Sequence, residues 1–201
     1  MKKSGIYDFE TLSQDVYSCA VVALAVCEFD ESRFVTDPYE YDELIDMCSI
    51  YKFDVEEQVK SYNRKVSLAT VDWWKKQGAD AQRFLRPCSD DISVDRLHSI
   101  FTEDFVFSSY KSVYTRSNTF DPIILQTLLK EMNKEVPYPW WVIRDTRSII
   151  DGMAYGTNIS NKFVPDDVKD LFVAHDPAHD ISMDIYRIQF LAQILSGDDN
   201  V

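Results

Sequence analysis

The first periodic pattern along the chain is a short alternation that begins at Ile6. Residues 6–11 intersperse β-forming side chains with two acids, and this pattern predicts a strand. Because side chains two residues apart in a strand point the same way, Asp8 and Glu10 are expected on one face. A long apolar stretch follows from Val16 to Phe29 and predicts a buried central strand.

The next segments alternate between predicted strands and helices. Residues 34–41 predict a third strand, in which Pro38 indicates a break or a sheet edge. Much of residues 55–101 is predicted to be helical, with helices that start near Thr70 and Ser93. Further along the chain we predict strands at 105–110 and 140–143 and a turn or short helix at 147–151.

Two further helices begin close to acidic residues. Asp121 followed by Pro122 has the composition of an N-cap and a first helical residue. Asp180 precedes an apolar stripe that runs from Ile181 to Leu195 and predicts the last helix. Strands first, with helices interleaved and last, predict an α/β fold in which helices flank a mixed sheet. We expect one domain over residues 1–195 and a frayed polar tail over 196–201.

Charge restricts the functions that fit this chain. It has 21 Lys and Arg against 34 Asp and Glu, a net charge of −13, and no basic run. A protein that grips duplex DNA along many phosphates needs a broad basic face. If the chain acts on nucleic acid, it should hold few nucleotides and use bound cations as its main positive charge.

The sequence also predicts a protein of the cytoplasm that does not engage a membrane. No stretch approaches the roughly 20 apolar residues that span a bilayer, and residues 1–5 lack the apolar run of a signal peptide. The four cysteines show no C-x-x-C spacing and are expected to be reduced thiols. The oligomeric state stays open.

Four acids and one histidine can form a metal-dependent hydrolytic site. Mg²⁺ and Mn²⁺ prefer oxygen ligands, and Asp8, Glu10, Asp121 and Asp180 offer them from different elements. Two such ions about 3.5–4 Å apart hold the attacking and leaving oxygens of a phosphoryl displacement. His175 titrates near neutral pH and can take a proton from the attacking water. Taken singly, each residue also has a structural interpretation: a solvated strand end, an N-cap, a surface acid or a packing histidine.

The order of three segments is more specific than any single residue. Residues 8–11 (DFET), 118–121 (NTFD) and 175–180 (HDPAHD) resemble the three exonuclease motifs of the DEDD superfamily, and the H-x-x-x-x-D spacing resembles its DEDDh branch. Residues 70–77 and 144–148 resemble segments of the tailed-phage exonuclease A group and its exoribonuclease relatives. The likeness covers nearly the whole chain.

The resemblance implies a ribonuclease H-like fold with a five-stranded mixed sheet and helices on both sides. It also implies that Asp8 bridges two metals and that Glu10 and Asp180 bind the nucleophile-side metal. By the same resemblance Asp121 acts on the other metal, often through water, and His175 is the general base. The backbone from Phe9 through Leu12 is similar to a strip that contacts the 3′-terminal nucleotide. The candidate substrate-binding residues are Phe9, Thr11, Leu12, Asn118, Phe120, Arg144 and Arg147.

Several of these interpretations leave an alternative open. H-x-x-x-x-D occurs twice, and we prefer His175 with Asp180 over His179 with Asp184, which is expected to be a supporting or surface acid. Arg144 and Arg147 can contact a phosphate or pair with Asp145. Further candidates are Lys111, Arg116 and Lys162 along the path of the strand, and the pairs Trp73-Trp74 and Trp140-Trp141, which stack on bases or, as expected of most of them, pack in the core.

The sequence therefore predicts a metal-dependent 3′→5′ exonuclease. We expect it to use two divalent cations, Mg²⁺ or Mn²⁺, to hydrolyse single-stranded DNA from the 3′ end and release nucleoside 5′-monophosphates, in the host cytoplasm if the chain is of phage origin. The alternatives are an exoribonuclease that acts on RNA 3′ ends, a non-catalytic nucleic-acid-binding module on the same fold, and a metal-dependent phosphatase or nucleotide hydrolase.

Overall fold

One mixed sheet forms the centre of the molecule, in a computed structural model that describes residues 3–197. Within this range the sheet has five strands in the order β3-β2-β1-β4-β5. β1 pairs antiparallel with β2 and parallel with β4, whereas β3 and β5 lie at the two edges. The strands are β1 Ser4–Thr11, β2 Val21–Phe29, β3 Ser49–Lys52, β4 Val113–Thr115 and β5 Ile143–Asp145. The predicted α/β class with a five-stranded mixed sheet is confirmed.

Helices cover both faces of the sheet. They are α1 Arg33–Thr36, α2 Tyr41–Met47, α3 Val55–Ser61, α4 Leu68–Trp74, α5 Ala79–Gln82, α6 Leu97–Ser99, α7 Asp121–Glu131, α8 Thr146–Met153 and α9 Pro177–Ser196. Ile6 packs in one core cluster with Ile181 of α9, and Tyr7 packs in another with Ile124 of α7. Because side chains alternate along β1, Asp8 lies on the α9 side of the sheet.

The buried apolar run predicted at residues 16–29 becomes β2. Val21 to Cys27 are all buried because the strand is central and helices cover both of its faces. The helix expected near Thr70 begins earlier, at Leu68, since Ser67 is its N-cap and accepts a hydrogen bond from the Thr70 amide. The helices predicted after Arg147 and after Asp180 are confirmed as parts of α8 and α9.

The third strand predicted at residues 34–41 is wrong. This segment is the short helix α1 followed by a loop, and the third strand of the chain is β3. Pro38 has no amide hydrogen for a strand ladder. The backbone of Tyr39 bonds instead to the side-chain amide of Gln189, at 2.7 Å through its N–H and 2.9 Å through its carbonyl. A contact far along the chain thus replaces the strand pairing.

Two other strands were predicted too early in the sequence. Residues 107–109 form a 3₁₀ turn, and the strand that leads to Asn118 is β4. Residues 140–142 also form a 3₁₀ turn, so β5 begins only at Ile143. In each case aromatic side chains gave the segment β propensity, but its backbone turns before it reaches the sheet.

The ends of α7 and α9 differ from the prediction as well. Phe120 occupies the N-cap of α7, and Asp121 with Pro122 forms the first helical turn. Helix α9 continues through Ser196 and ends at Gly197, whose φ of 81° is the left-handed conformation that favours glycine. The rest of the predicted frayed tail, residues 198–201, lies outside the described residues. No helix within residues 3–197 is long and apolar enough to span a membrane.

Candidate active site

Three acids meet on the face of the sheet that α9 covers. Asp8 and Glu10 extend from the last part of β1, where both are partly buried. Helix α9 packs against β1 and carries Asp180 in its first turn. The predicted arrangement of Asp8 and Glu10 on one face of a strand therefore brings them towards the third acid.

Asp121 reaches the same place from the other layer of helices. β4 pairs with β1 only at Gly5 and Ile6, so the ladder does not use the amide of Phe9. That N–H donates to Oδ1 of Asp121 at 3.1 Å. The bond holds the Asp121 carboxylate, which is only 2% exposed, at the end of β1.

His175 lies in a tight turn at the start of α9. Its φ of 65° is left-handed, and Asp176 then caps the helix by accepting the Ala178 amide at 3.1 Å. The amide of His175 donates to Oδ2 of Asp180 at 3.2 Å. One ligand atom from each of Glu10, His175 and Asp180 lies within 4.8 Å of the others.

His179 is turned away from this cluster. Its Nδ1 lies 3.1 Å from the hydroxyl of Tyr41 and 3.4 Å from the amide of Val173. Asp184, its partner in the second H-x-x-x-x-D, is buried and interacts with Thr146 and two arginines. Among the described residues, the group that can hold a metal ion contains His175 and not His179.

The four acids have raised pKa values. Burial is the largest cause for all four, and neighbouring carboxylates add to it. The pKa of Asp121 and that of Asp180 rise to about 7, and those of Asp8 and Glu10 rise well above their ordinary values. Burial lowers the pKa of His175. Hard oxygen donors whose negative charge is this poorly compensated fit divalent cations.

Two open cavities flank the acids. The larger, about 520 Å³, is lined by Glu10 and Trp73 among others, and the smaller, about 280 Å³, by Asp8 and Asp121. Phe120 lines both, so this residue lies at the boundary between them. The site therefore has one compartment on each side of the acid cluster.

The predicted substrate-binding residues are divided between these cavities. Phe9 and Thr11 line the larger cavity, and Arg147 lines the smaller. Asn118 lines a third cavity of about 270 Å³ further along α7. The structure does not place Leu12 with them. Its side chain packs in a cluster with Val22 and Trp74, and its backbone bonds to Ala20 and Ser67.

The ion pair considered between Asp145 and its flanking arginines is wrong. The Asp145 carboxylate caps α8 by accepting the Arg147 amide at 3.0 Å and the Ser148 hydroxyl at 2.9 Å. Nη1 of Arg144 donates instead to the carbonyls of Trp141 and Ile143, at 2.8 and 2.9 Å. Arg147 contributes to the wall of the smaller cavity.

Two of the other basic candidates differ in position. The Lys111 amide donates to the carbonyl of Lys3, ahead of β1, so Lys111 lies at the opposite end of the sheet from Asp8. Its ammonium pairs there with Glu31 at 2.9 Å. Arg116 lines the smaller cavity, and its place on the path of the strand stays a prediction.

Core packing was expected of most tryptophans, and only Trp74 conforms. Its indole N–H donates to the carbonyl of Thr11 at 3.0 Å and fixes α4 against the end of β1. Trp73, Trp140 and Trp141 are 42%, 79% and 62% exposed. Trp73 packs against the imidazole of His175, a contact that no sequence pattern signals.

The chain is similar to known exonucleases over most of its length. A sequence model of the Rv2179c-like 3′-5′ exoribonuclease domain matches residues 3–180, a range that contains Asp8, Glu10, Asp121, His175 and Asp180. An exodeoxyribonuclease of Enterobacteria phage T4 is 28% identical over 211 aligned residues, which cover 96% of this chain and 90% of the phage protein.

Solved structures share the fold. Exonuclease I of E. coli, in its zinc-bound complex with single-stranded DNA, superimposes with a TM-score of 0.56 at 14% identity, over 99% of this chain and 41% of that one. Cell-death related nuclease 4 superimposes with a TM-score of 0.58 at 16% identity, over 99% and 65%. The chain thus spans about two fifths of exonuclease I. These likenesses confirm the ribonuclease H-like fold.

Proposed function

The chain belongs to the Rv2179c-like 3′-5′ exoribonuclease domain family, and from this premise we propose that it degrades single-stranded DNA from the 3′ end with two divalent cations. Family membership makes it a 3′-5′ exonuclease that acts on nucleic acid. The strand type, the number of cations and the role of each residue are the content of the proposal.

The convergence of four carboxylates at the end of β1 carries this proposal. The four acids come from three elements of the fold: Asp8 and Glu10 from β1, Asp121 from α7 and Asp180 from α9. Burial raises the pKa of each carboxyl group, and the charge of neighbouring carboxylates raises it further. Buried like charges are unfavourable unless protons or cations neutralise them. Divalent cations do so at neutral pH and suit the oxygen donors present.

Each acid takes one position in the proposed site. The charges of Asp121 on α7 and of Asp180 on α9 both act on Asp8, which would help to hold either ion. Glu10 and Asp180, which lie beside His175, would hold the ion on that side, and Asp121 the other ion. When bound, such cations polarise the phosphate and stabilise the charge that develops on it.

His175 is the proposed general base. Its burial lowers its pKa, so the imidazole is neutral at pH 7 and able to accept a proton from the attacking water. The hydrogen bond from its amide to Asp180 holds the loop beside the acids. A nitrogen of the same imidazole is also close enough to join Glu10 and Asp180 as a ligand, and the histidine variants below distinguish the two roles.

The direction of the substrate through the two cavities is part of the proposal. We propose that the 3′-terminal nucleotide occupies the larger cavity, against Phe9, Thr11 and Phe120. The strand then continues through the smaller cavity past Arg147 and towards Asn118. Hydrolysis between the cavities releases a nucleoside 5′-monophosphate.

RNA is the second candidate substrate. The phage T4 relative, aligned over nearly its full length, is named an exodeoxyribonuclease and supports DNA. The family description names an exoribonuclease and supports RNA. We retain DNA as the leading proposal, with action inside the cell, where the four free cysteines stay reduced.

Cleavage of matched labelled strands tests the proposal. A 5′-labelled single-stranded DNA and its RNA counterpart are incubated with Mg²⁺, Mn²⁺ or chelator, beside Asp8→Ala and the exposed-acid control Asp46→Ala. We expect metal-dependent shortening of DNA from the 3′ end, lost in Asp8→Ala and retained in the control. Faster shortening of RNA would make the chain an exoribonuclease. Shortening of neither strand would favour the binding-module alternative.

A further inference from the structure

One buried carboxylate is shared by two arginines next to the acid cluster. Asp184 of α9 is 1% exposed and accepts hydrogen bonds from Arg116, from Arg187 at 3.0 Å and from the hydroxyl of Thr146. Two guanidinium groups against one carboxylate leave this group of side chains with one positive charge in excess.

The two arginines differ in what else they contact. Nε of Arg187 donates to the carbonyl of Phe163 at 2.6 Å, and the residue is only 5% exposed. Its guanidinium is therefore buried and not accessible to a ligand. Arg116 keeps 23% of its side chain exposed and forms part of the wall of the smaller cavity. Its Nη2 donates to the carbonyl of Asn161 at 3.0 Å.

Arg116 retains donors for a ligand in that cavity. A guanidinium has five N–H groups, and the bonds to Asp184 and Asn161 use two of them. Asp184 and Asn161 also fix the side chain, which lowers the entropy lost when an anion binds. Arg147 lines the same cavity, so two arginines share the wall of one cavity in a chain of net charge −13.

We propose that Arg116, fixed by Asp184, binds the phosphate immediately 5′ of the scissile phosphate. This inference rests on the proposed function, because it takes the direction of the strand from the two cavities. If the terminal nucleotide fills the larger cavity and the scissile phosphate lies at Asp8, the next phosphate enters the smaller cavity. A bidentate guanidinium suits such a phosphate.

Substrates with and without that phosphate test the inference. The p-nitrophenyl ester of thymidine 5′-monophosphate contains a scissile phosphate and no upstream one, whereas oligo(dT) contains both. For Arg116→Gln we expect kcat/KM on oligo(dT) to fall about tenfold or more, mainly through KM, with the ester cleaved at the wild-type rate. The kcat/KM of Arg116→Lys on oligo(dT) should lie between those of the wild type and Arg116→Gln. Arg96→Gln, which removes an exposed surface arginine, should match the wild type.

An uncharged linkage locates the contact. The test substrate is oligo(dT) with a methylphosphonate in place of the phosphate next to the scissile one. On it, kcat/KM of the wild type should fall by the same factor as the Arg116→Gln substitution causes on unmodified oligo(dT). The kcat/KM of Arg116→Gln should not fall further. Anisotropy binding of both oligonucleotides with Ca²⁺ should show the same pattern without requiring cleavage. Melting curves identify any variant that fails to fold, and Arg116→Lys then replaces Arg116→Gln in each comparison.

Three results would overturn the inference. They are equal losses on the ester and on oligo(dT), no loss on either, and a methylphosphonate penalty that stays undiminished in the Arg116 variant. An equal loss would assign Arg116 to the stability of the acid cluster. Failure of the exonuclease proposal is distinguishable, since the wild type would then cleave neither substrate while the binding comparison still judges Arg116.

Discussion

The indole of Trp73 meets the imidazole of His175 edge to face, with the ring centroids 4.8 Å apart and the planes at 77°. Trp74 approaches the same imidazole at 6.3 Å. The left-handed backbone of His175 is costly for a residue with a side chain, so surrounding contacts must hold it. Helix α4 therefore supports the proposed base through aromatic packing.

Trp73→Ala is expected to lower kcat about tenfold, because a proposed base that is no longer held in position loses reactive geometry. Trp73→Phe should retain most of the activity, since a phenyl edge can replace the indole edge. Steady-state kinetics on oligo(dT) measures both, with Tyr155→Ala at an exposed aromatic position as control. A change confined to KM would instead mean that Trp73 contacts only the nucleotide.

Alanine substitutions at the two histidines should have different effects on kcat. His175→Ala is expected to lower kcat by about 10²–10⁴, the contribution typical of a general base. His179→Ala should keep kcat and lose roughly 0.5–1.5 kcal/mol of stability with its bond to Tyr41. Activity assays and melting curves check the pair. If His175→Ala also abolishes the rise in Tm that metal produces, His175 is a metal ligand.

Stability of the metal-free protein should fall as pH rises. The pKa values of Asp121 and Asp180 are about 7 in the folded chain, against about 4 for an unfolded Asp. The stability due to their protonated forms is fully present below pH 4 and is lost as pH approaches 7.

Mg²⁺ or Mn²⁺ should therefore raise Tm more at pH 8 than at pH 5, since metal competes with protons for the same oxygens. Thermal melts with chelator and with metal across this range provide the test. A metal-dependent shift that does not vary with pH would contradict it.

Asp8→Asn should stabilise the metal-free protein while it removes activity. The amide keeps the shape of the side chain and eliminates one charge that acts on Asp121, Glu10 and Asp180. At pH 8 with chelator its Tm is expected to exceed that of the wild type, and its exonuclease rate to be negligible. Asp46→Asn, at an exposed position, should leave both unchanged. A lower Tm for Asp8→Asn would show that this carboxylate is well compensated.

Trp140 offers a test of the path beyond the cavities that flank the acids. Its ring is 79% exposed and lines the third cavity with Asn118. Base stacking contributes about 1–3 kcal/mol, so Trp140→Ala should raise KM roughly tenfold on long strands. A dinucleotide too short to reach it should be cleaved normally. An equal effect on both lengths would exclude a stacking role.

The local sequence pattern was sufficient to predict how β1 and α9 present part of the acid cluster. The alternation at residues 6–11 predicted that Asp8 and Glu10 share a face, and the apolar stripe after Asp180 predicted α9. Both succeed because side-chain direction follows from the period of a strand or a helix, which neighbouring residues alone determine. The order of the three motifs added the histidine and the fourth acid by resemblance.

Tertiary contacts decided the rest. Gln189 takes the backbone bonds of Tyr39 and keeps that segment out of the sheet, while β4 is too short to use the Phe9 amide and leaves it to Asp121. The same holds for Trp73 against His175 and for Arg116 on Asp184. Such pairs join residues remote in sequence, and which donor or ring is free depends on how every layer packs. No local period carries that information.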